Sequence, residues 1–149
     1  MLSSRSNILF FRLFFLSLYD NTNEWIFIEH IMDEKVLIEV IAQAIQDKKG
    51  KGVVSLDLTG MDGAICSHFV VCNADSTTQV AAIADSVEEA VFQRLGEWPW
   101  RVEGKQTGLW VAMDYIDVVV HIFQTELRDY YKLEELWADA PMVEYNDEE

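Results

Sequence analysis

The sequence predicts a single α/β domain with a mixed sheet and flanking helices. Three observations predict it. Apolar residues recur at helical spacing in two long stretches and at strand spacing in several short ones. The elements run helix, strand, strand, helix, strand, strand, strand, helix, an order that packs helices against a mixed sheet. The 149 residues are 50% hydrophobic and 12% aromatic, enough for one buried core.

Val36, Leu37, Val40, Ile41, Ala44 and Ile45 recur at three- and four-residue steps. They predict an amphipathic helix that starts at Asp33 as its cap. Lys48 and Lys49 suit its negative C-terminal end, and Gly50 is expected to take the left-handed stop. Val53–Leu58 reads as a strand closing on Thr59-Gly60. Phe69–Ala74 reads as a second, buried strand. Ser76 and Gln79 fit a capping box, with Gln79 reaching back to the Ser76 amide. The helix that follows buries Val80, Ile83, Ala84, Val87, Ala90, Val91 and Leu95 and ends at Gly96.

Trp98–Val102 contains Pro99 and is expected at a sheet edge, because proline cannot donate to an interior ladder. Leu109–Asp114 alternates, with Leu109, Val111 and Met113 on one face and Trp110, Ala112 and Asp114 on the other. Asp117–Phe123 is a more apolar strand, and Tyr115-Ile116 is short enough to be a hairpin turn. Thr125 is expected to cap a last helix running through Trp137, with Pro141 beyond its end. The stretch from Glu134 to Glu149 holds seven acids and no base. Residues 142–149 are expected to be a solvated acidic tail.

The N-terminal 31 residues stand apart. Ile8–Leu18 is apolar except for Arg12 and Ser17, with Arg5 ahead of it. A charge inside such a run costs roughly 2.5–3.5 kcal/mol in lipid. No small-residue cleavage pattern follows, and the run is shorter than the ~18 residues that span a bilayer. Residues 1–31 therefore read first as a mis-annotated or disordered extension upstream of a start at Met32, then as an unneeded extension, and last as a working signal. The domain proper is expected over 32–141, in the cytoplasm and without a membrane anchor.

Eleven basic and 26 acidic residues give a net charge of −15. Such a chain does not hold phosphate backbones by counterion release, so direct DNA binding is not expected. Its favoured partner surface is basic protein. Cys66 and Cys72 are expected to be reduced, on one strand face.

The candidates for chemistry are Asp57, Cys66, His68, Asp114, Asp117 and His121. Cys66 and His68 lack a third residue to orient a base. There is no phosphate-binding glycine loop, nucleophile elbow or Cys-x-x-Cys. His30, His68 and His121 fall in different elements, and no pair shows zinc-ligand spacing. His121, inside an apolar strand, reads as structural. Paired carboxylates on neighbouring strands can hold magnesium, but Asp114 and Asp117 more simply bond the amides of their own hairpin. No cofactor, metal or catalytic residue is expected. Among the aromatics, Tyr131 and Trp137 read as core. Trp110, beside Asp114 on the less apolar strand face, reads as a partner-facing anchor.

The segments LDLTG, FVVCNADS, QVAAIAD, RVEG, WVAMDYIDVVVHIF and the R-x-Y-Y-x-L-E-x-L-W run at Arg128–Trp137 resemble successive motifs of the ribosomal silencing factor (Iojap-like) family. The resemblance spans about residues 33–141. It implies a nucleotidyltransferase-like fold without catalytic residues. It further implies docking on the large ribosomal subunit through a ribosomal protein of the L-fourteen family, which blocks joining of the small subunit and represses translation. A role in large-subunit assembly is the alternative; a nucleotidyltransferase-like enzyme is the distant one. Whether the chain forms a homodimer is left open. By resemblance the docking face comprises Trp110 and Asp114 with the adjoining Tyr115 turn. The chain departs from the family pattern at Ser67, Ala74 and Ile116, where aspartate, glycine and glycine are usual. Ile116 bears on the shape of the hairpin.

Overall fold

The computed structural model describes residues 22–146. Helix α1 spans Thr22–Asp47, strand β1 Lys51–Asp57 and strand β2 His68–Ala74. Helix α2 spans Thr77–Leu95 and is followed by β3 (Arg101–Glu103), β4 (Trp110–Asp114) and β5 (Val118–Gln124). Two short helices, α3 (Thr125–Tyr131) and α4 (Leu133–Leu136), precede β6 (Met142–Glu144). Among the described residues the sheet has six strands in the order β3-β4-β5-β2-β1-β6. β2 and β5 run parallel and their neighbours antiparallel, which is the mixed sheet the sequence predicts.

Strand alternation sorts the core into two layers. Val70, Cys72, Val111, Met113, Val118, Val120 and Ile122 face α1 and α2, and Ile41, Ile45, Ile83 and Val87 meet them from the helices. Phe69, Val71, Phe123, Val54 and Leu56 face the opposite way, under Leu127, Leu133 and Trp137. Burying each of these large aliphatic or aromatic side chains contributes about 1.5–3 kcal/mol. The residues expected on the inner face of α2 are buried there, with Ala90 only partly so.

Several local expectations are corrected. α1 runs through Met32 without interruption, so Asp33 is interior to the helix and caps nothing. Residues 22–31 are helical, whereas 1–21 lie outside the described residues. The left-handed position after α1 falls on Lys49 (φ 62°) and not on Gly50. Gly50 is required for another reason: a Cβ there would sit 2.3 Å from the Ile45 side chain. Ser76 caps α2, its Oγ accepting from the Gln79 amide at 3.1 Å. The Gln79 side chain does not complete the box; it donates to the Lys48 and Lys49 carbonyls, joining the start of α2 to the end of α1.

Thr125 opens α3 from inside, with Gln124 as the N-cap; the Thr125 hydroxyl accepts from Asn73 and donates to Asp75. The last helix is not continuous to Trp137. Lys132 takes the left-handed region (φ 49°) and splits it into α3 and α4. Cys66 precedes β2 and packs in the second layer, whereas Cys72 is buried in the first, so the two do not share a face; both are free thiols. Part of the acidic tail is ordered, although its side chains are exposed. Val54, Ser55 and Leu56 pair with Glu144, Val143 and Met142, making the tail an edge strand.

Candidate functional site

α3 packs over β2 and β5, leaving the β3 edge of that sheet face exposed and the outward residues of β4 half-buried. This β3–β4 strip carries Arg101 and Glu103 from β3, paired in register with Asp114 and Ala112 of β4. Trp110 stands at the other end of β4, beside α3. It is half-buried, and its opposite neighbours in the strand, Val111 and Met113, are fully buried in the helix layer. The alternation expected here is thus present from Trp110 to Asp114, whereas Leu109, expected on the inner face, precedes the strand and is exposed.

The indole is tightly placed. It stacks on Phe123 with ring centroids 4.8 Å apart and planes at 26°. Tyr131 lies 5.1 Å away at a tilt of 43°. The indole Nε1–H donates to His121 Nδ1 at 3.1 Å. His121 is itself buried, with Phe69 edge-on at 4.6 Å. Burial disfavours its charged form and pushes its pKa down to about 4, against a weaker opposing pull from Glu134. At neutral pH the imidazole is therefore uncharged, with Nδ1 free to accept.

Asp114 does what the simpler reading of its position expects. Its carboxylate accepts from the Ile116 amide at 2.7 Å and braces the hairpin turn. The turn closes through the Tyr115 amide on the Val118 carbonyl and holds Ile116 at φ 74°. Tyr115 does not line the strip, which corrects its assignment to the docking face. Its side chain turns into the helix layer, only 7% exposed, and its hydroxyl has no hydrogen-bond partner among the described residues. Burial, then Glu88 and Glu97, push that hydroxyl's pKa up.

The remaining chemical candidates do not converge. Cys66 Sγ donates to the His68 carbonyl at 3.5 Å, so the thiol meets backbone and not the imidazole. Burial, followed by the charge of Asp114, pushes Cys66 up to about 11, far from a reactive thiolate. His68 sits between Glu34 Oε2 at 3.4 Å and Asp57 Oδ1 at 3.9 Å. Asp57 in turn accepts from the Thr59 hydroxyl at 2.5 Å and amide at 3.0 Å, which hold its carboxyl below the usual range. Its role is to close the end of β1. Among the described residues no cluster of three or more metal-ligating side chains is present, and no helix is long and apolar enough to cross a membrane.

One neighbour of Trp110 differs from expectation and one agrees with it. Tyr131 is half-exposed and flanks Trp110, although it was expected in the core. His121 is structural, as expected, and its partner is Trp110, whose indole N–H it accepts. The signal for His121 lay in the hairpin register: once Tyr115-Ile116 is the turn, Trp110 pairs with Phe123 and Ala112 with His121, so Trp110 and His121 become diagonal neighbours on one face.

The class these features define is a mixed-sheet α/β domain with a half-buried, hydrogen-bonded tryptophan beside charged residues on one sheet face. A family model described as "Ribosomal silencing factor during starvation" matches residues 31–149. The ribosomal silencing factor of Halalkalibacterium halodurans is 41% identical over 113 residues, covering 76% of this chain and 95% of the relative. That of Bacillus subtilis is 34% identical, covering 76% and 94%. A crystal structure of a Chromobacterium violaceum protein matches with a TM-score of 0.66 at 33% identity, over 70% of this chain and 85% of that one. The chain belongs to the ribosomal silencing factor family.

Proposed function

We propose that this protein docks on the large ribosomal subunit in the cytoplasm, through a ribosomal protein of the L-fourteen family. It thereby blocks joining of the small subunit and represses translation without catalysing a reaction. The observation that carries this reading is Trp110, a half-buried tryptophan fixed by stacking and one hydrogen bond on one sheet face. Such anchors dominate binding energy because they bury large area with little ordering cost. The net charge of −15 suits a basic ribosomal protein surface. The names of the relatives support the same reading.

Trp110 is the contact residue, and Asp114 acts beside it through the turn it braces. Sucrose-gradient sedimentation tests the reading. The purified protein is expected to travel with large subunits and to lower the yield of joined ribosomes. Trp110→Ala is expected to weaken association by tenfold or more. Failure of the unaltered protein to co-sediment with large subunits would overturn the proposal.

A further inference from the structure

We infer that His121 is a positioning residue for the docking anchor: from the adjoining strand, on the same sheet face, it fixes which way the Trp110 indole faces. This inference rests on the docking reading of Trp110. Stacking on Phe123 and Tyr131 holds one face of the indole. A half-turn about its second side-chain torsion would keep the ring in the same plane but carry the benzo ring and the N–H to opposite sides of the Cβ–Cγ bond. The hydrogen bond from Nε1 to His121 Nδ1, at 3.1 Å, distinguishes the two. An indole nitrogen can only donate, so Nδ1 is unprotonated and the imidazole proton sits on Nε2.

That arrangement has a cost in stability. His121 is 8% exposed, and its Nε2 has no hydrogen-bond partner among the described residues. A buried N–H without a partner is unfavourable. Leucine or phenylalanine at this place, against Phe69 and Phe123, would avoid the penalty. What neither supplies is an acceptor under the indole. A pre-oriented anchor binds more tightly than one that must be ordered on contact.

Three variants of the full chain test this. His121→Leu removes the acceptor, and His121→Asn places a carbonyl oxygen near the position of Nδ1. Trp110→Phe identifies the indole proton by its disappearance from the nitrogen-15 spectrum. In the isolated protein, exchange of the Trp110 Nε1–H with solvent is expected to be at least tenfold faster in His121→Leu and to stay slow in His121→Asn. Affinity for purified large subunits is expected to fall about tenfold in His121→Leu and to recover in His121→Asn. In the Trp110→Phe background, His121→Leu is expected to change affinity no further. If His121→Leu does not melt cooperatively, His121→Gln replaces it, because its carbonyl reaches toward Nε2 and misses the indole. Equal indole protection in the acceptor-less variant overturns the inference. So does an equal loss of affinity in the Trp110→Phe background. Loss of large-subunit binding by the unaltered protein removes the docking reading instead, and the exchange rates still decide whether His121 fixes the indole.

Discussion

The guanidinium of Arg128 donates to the side-chain oxygen of Asn73 at 2.8 Å, tying α3 to the end of β2. The same group reaches the Gly52 carbonyl at 2.6 Å and pairs with Glu134 through Nε and a second nitrogen, at 2.7 and 2.5 Å. The pair is well shielded, with side-chain exposures of 15% and 25%. Removing one partner of such a group leaves the others desolvated and unpaired. Arg128→Leu is therefore expected to destabilise the domain by about 3 kcal/mol, read from the midpoint of urea unfolding at constant slope. A double-mutant cycle with Glu134→Gln should show strong coupling, whereas additive effects would mean that the pair is no tighter than a surface contact.

Ile116 occupies the left-handed region at φ 74° and is exposed at the hairpin tip. A β-branched residue is poorly suited to that conformation. Ile116→Gly is expected to stabilise the domain by about 1 kcal/mol, and Ile116→Ala by much less, because alanine keeps its Cβ. Thermal melting of the three proteins side by side checks the order.

His121 makes stability depend on acid. Its folded pKa, about 4, lies below its ordinary value of 6.5. Between those values the unfolded chain binds a proton that the folded chain refuses, so stability falls as pH drops from 6.5 toward 4 and this contribution is lost below it. The loss is on the order of 3 kcal/mol. Unfolding measured at pH 7 and pH 4.5 should show a difference that shrinks in His121→Asn, which has nothing to titrate there.

Gly104 supports the site from the turn before β4. A Cβ added there would lie 1.9 Å from the Trp110 carbonyl oxygen, and the residue sits at φ 86°. Gly104→Ala is expected to cost about 2 kcal/mol or more by displacing the start of β4. The measurement is a melting curve combined with large-subunit co-sedimentation, since the displaced backbone carries the anchor. Unchanged stability and binding would show that the turn yields without disturbing Trp110.

Much of this fold was legible because burial enforces periodicity. The buried faces of α1, α2, β4 and β5 follow their apolar spacing, since each is pinned against one of two dry layers. What was illegible has local physical causes. β6 carries exposed residues only, so no burial pattern announces it; its pairing to β1 is purely backbone. The break at Lys132 depends on a left-handed residue that no glycine or proline marked. The family resemblance puts Tyr115 with Trp110. The parity of the strand sends it the other way: Met113 and Tyr115 both enter the helix layer, and Trp110, Ala112 and Asp114 share the opposite face. The face that carries Trp110 was legible from alternation, but its hydrogen bond to His121 needed the hairpin register.

The pairing of β6 has a consequence for synthesis. The amide of Asp57 donates to the Pro141 carbonyl and that of Tyr145 to the Val53 carbonyl, each at 2.9 Å. β1 is among the first parts of the sheet to be made, yet its outer edge waits for residues some 90 positions later. During translation that edge emerges unpaired and stays so until Pro141–Tyr145 have cleared the exit tunnel. Closure of the sheet therefore waits for a contact of long sequence separation, and β1 is the strand left longest with an open edge.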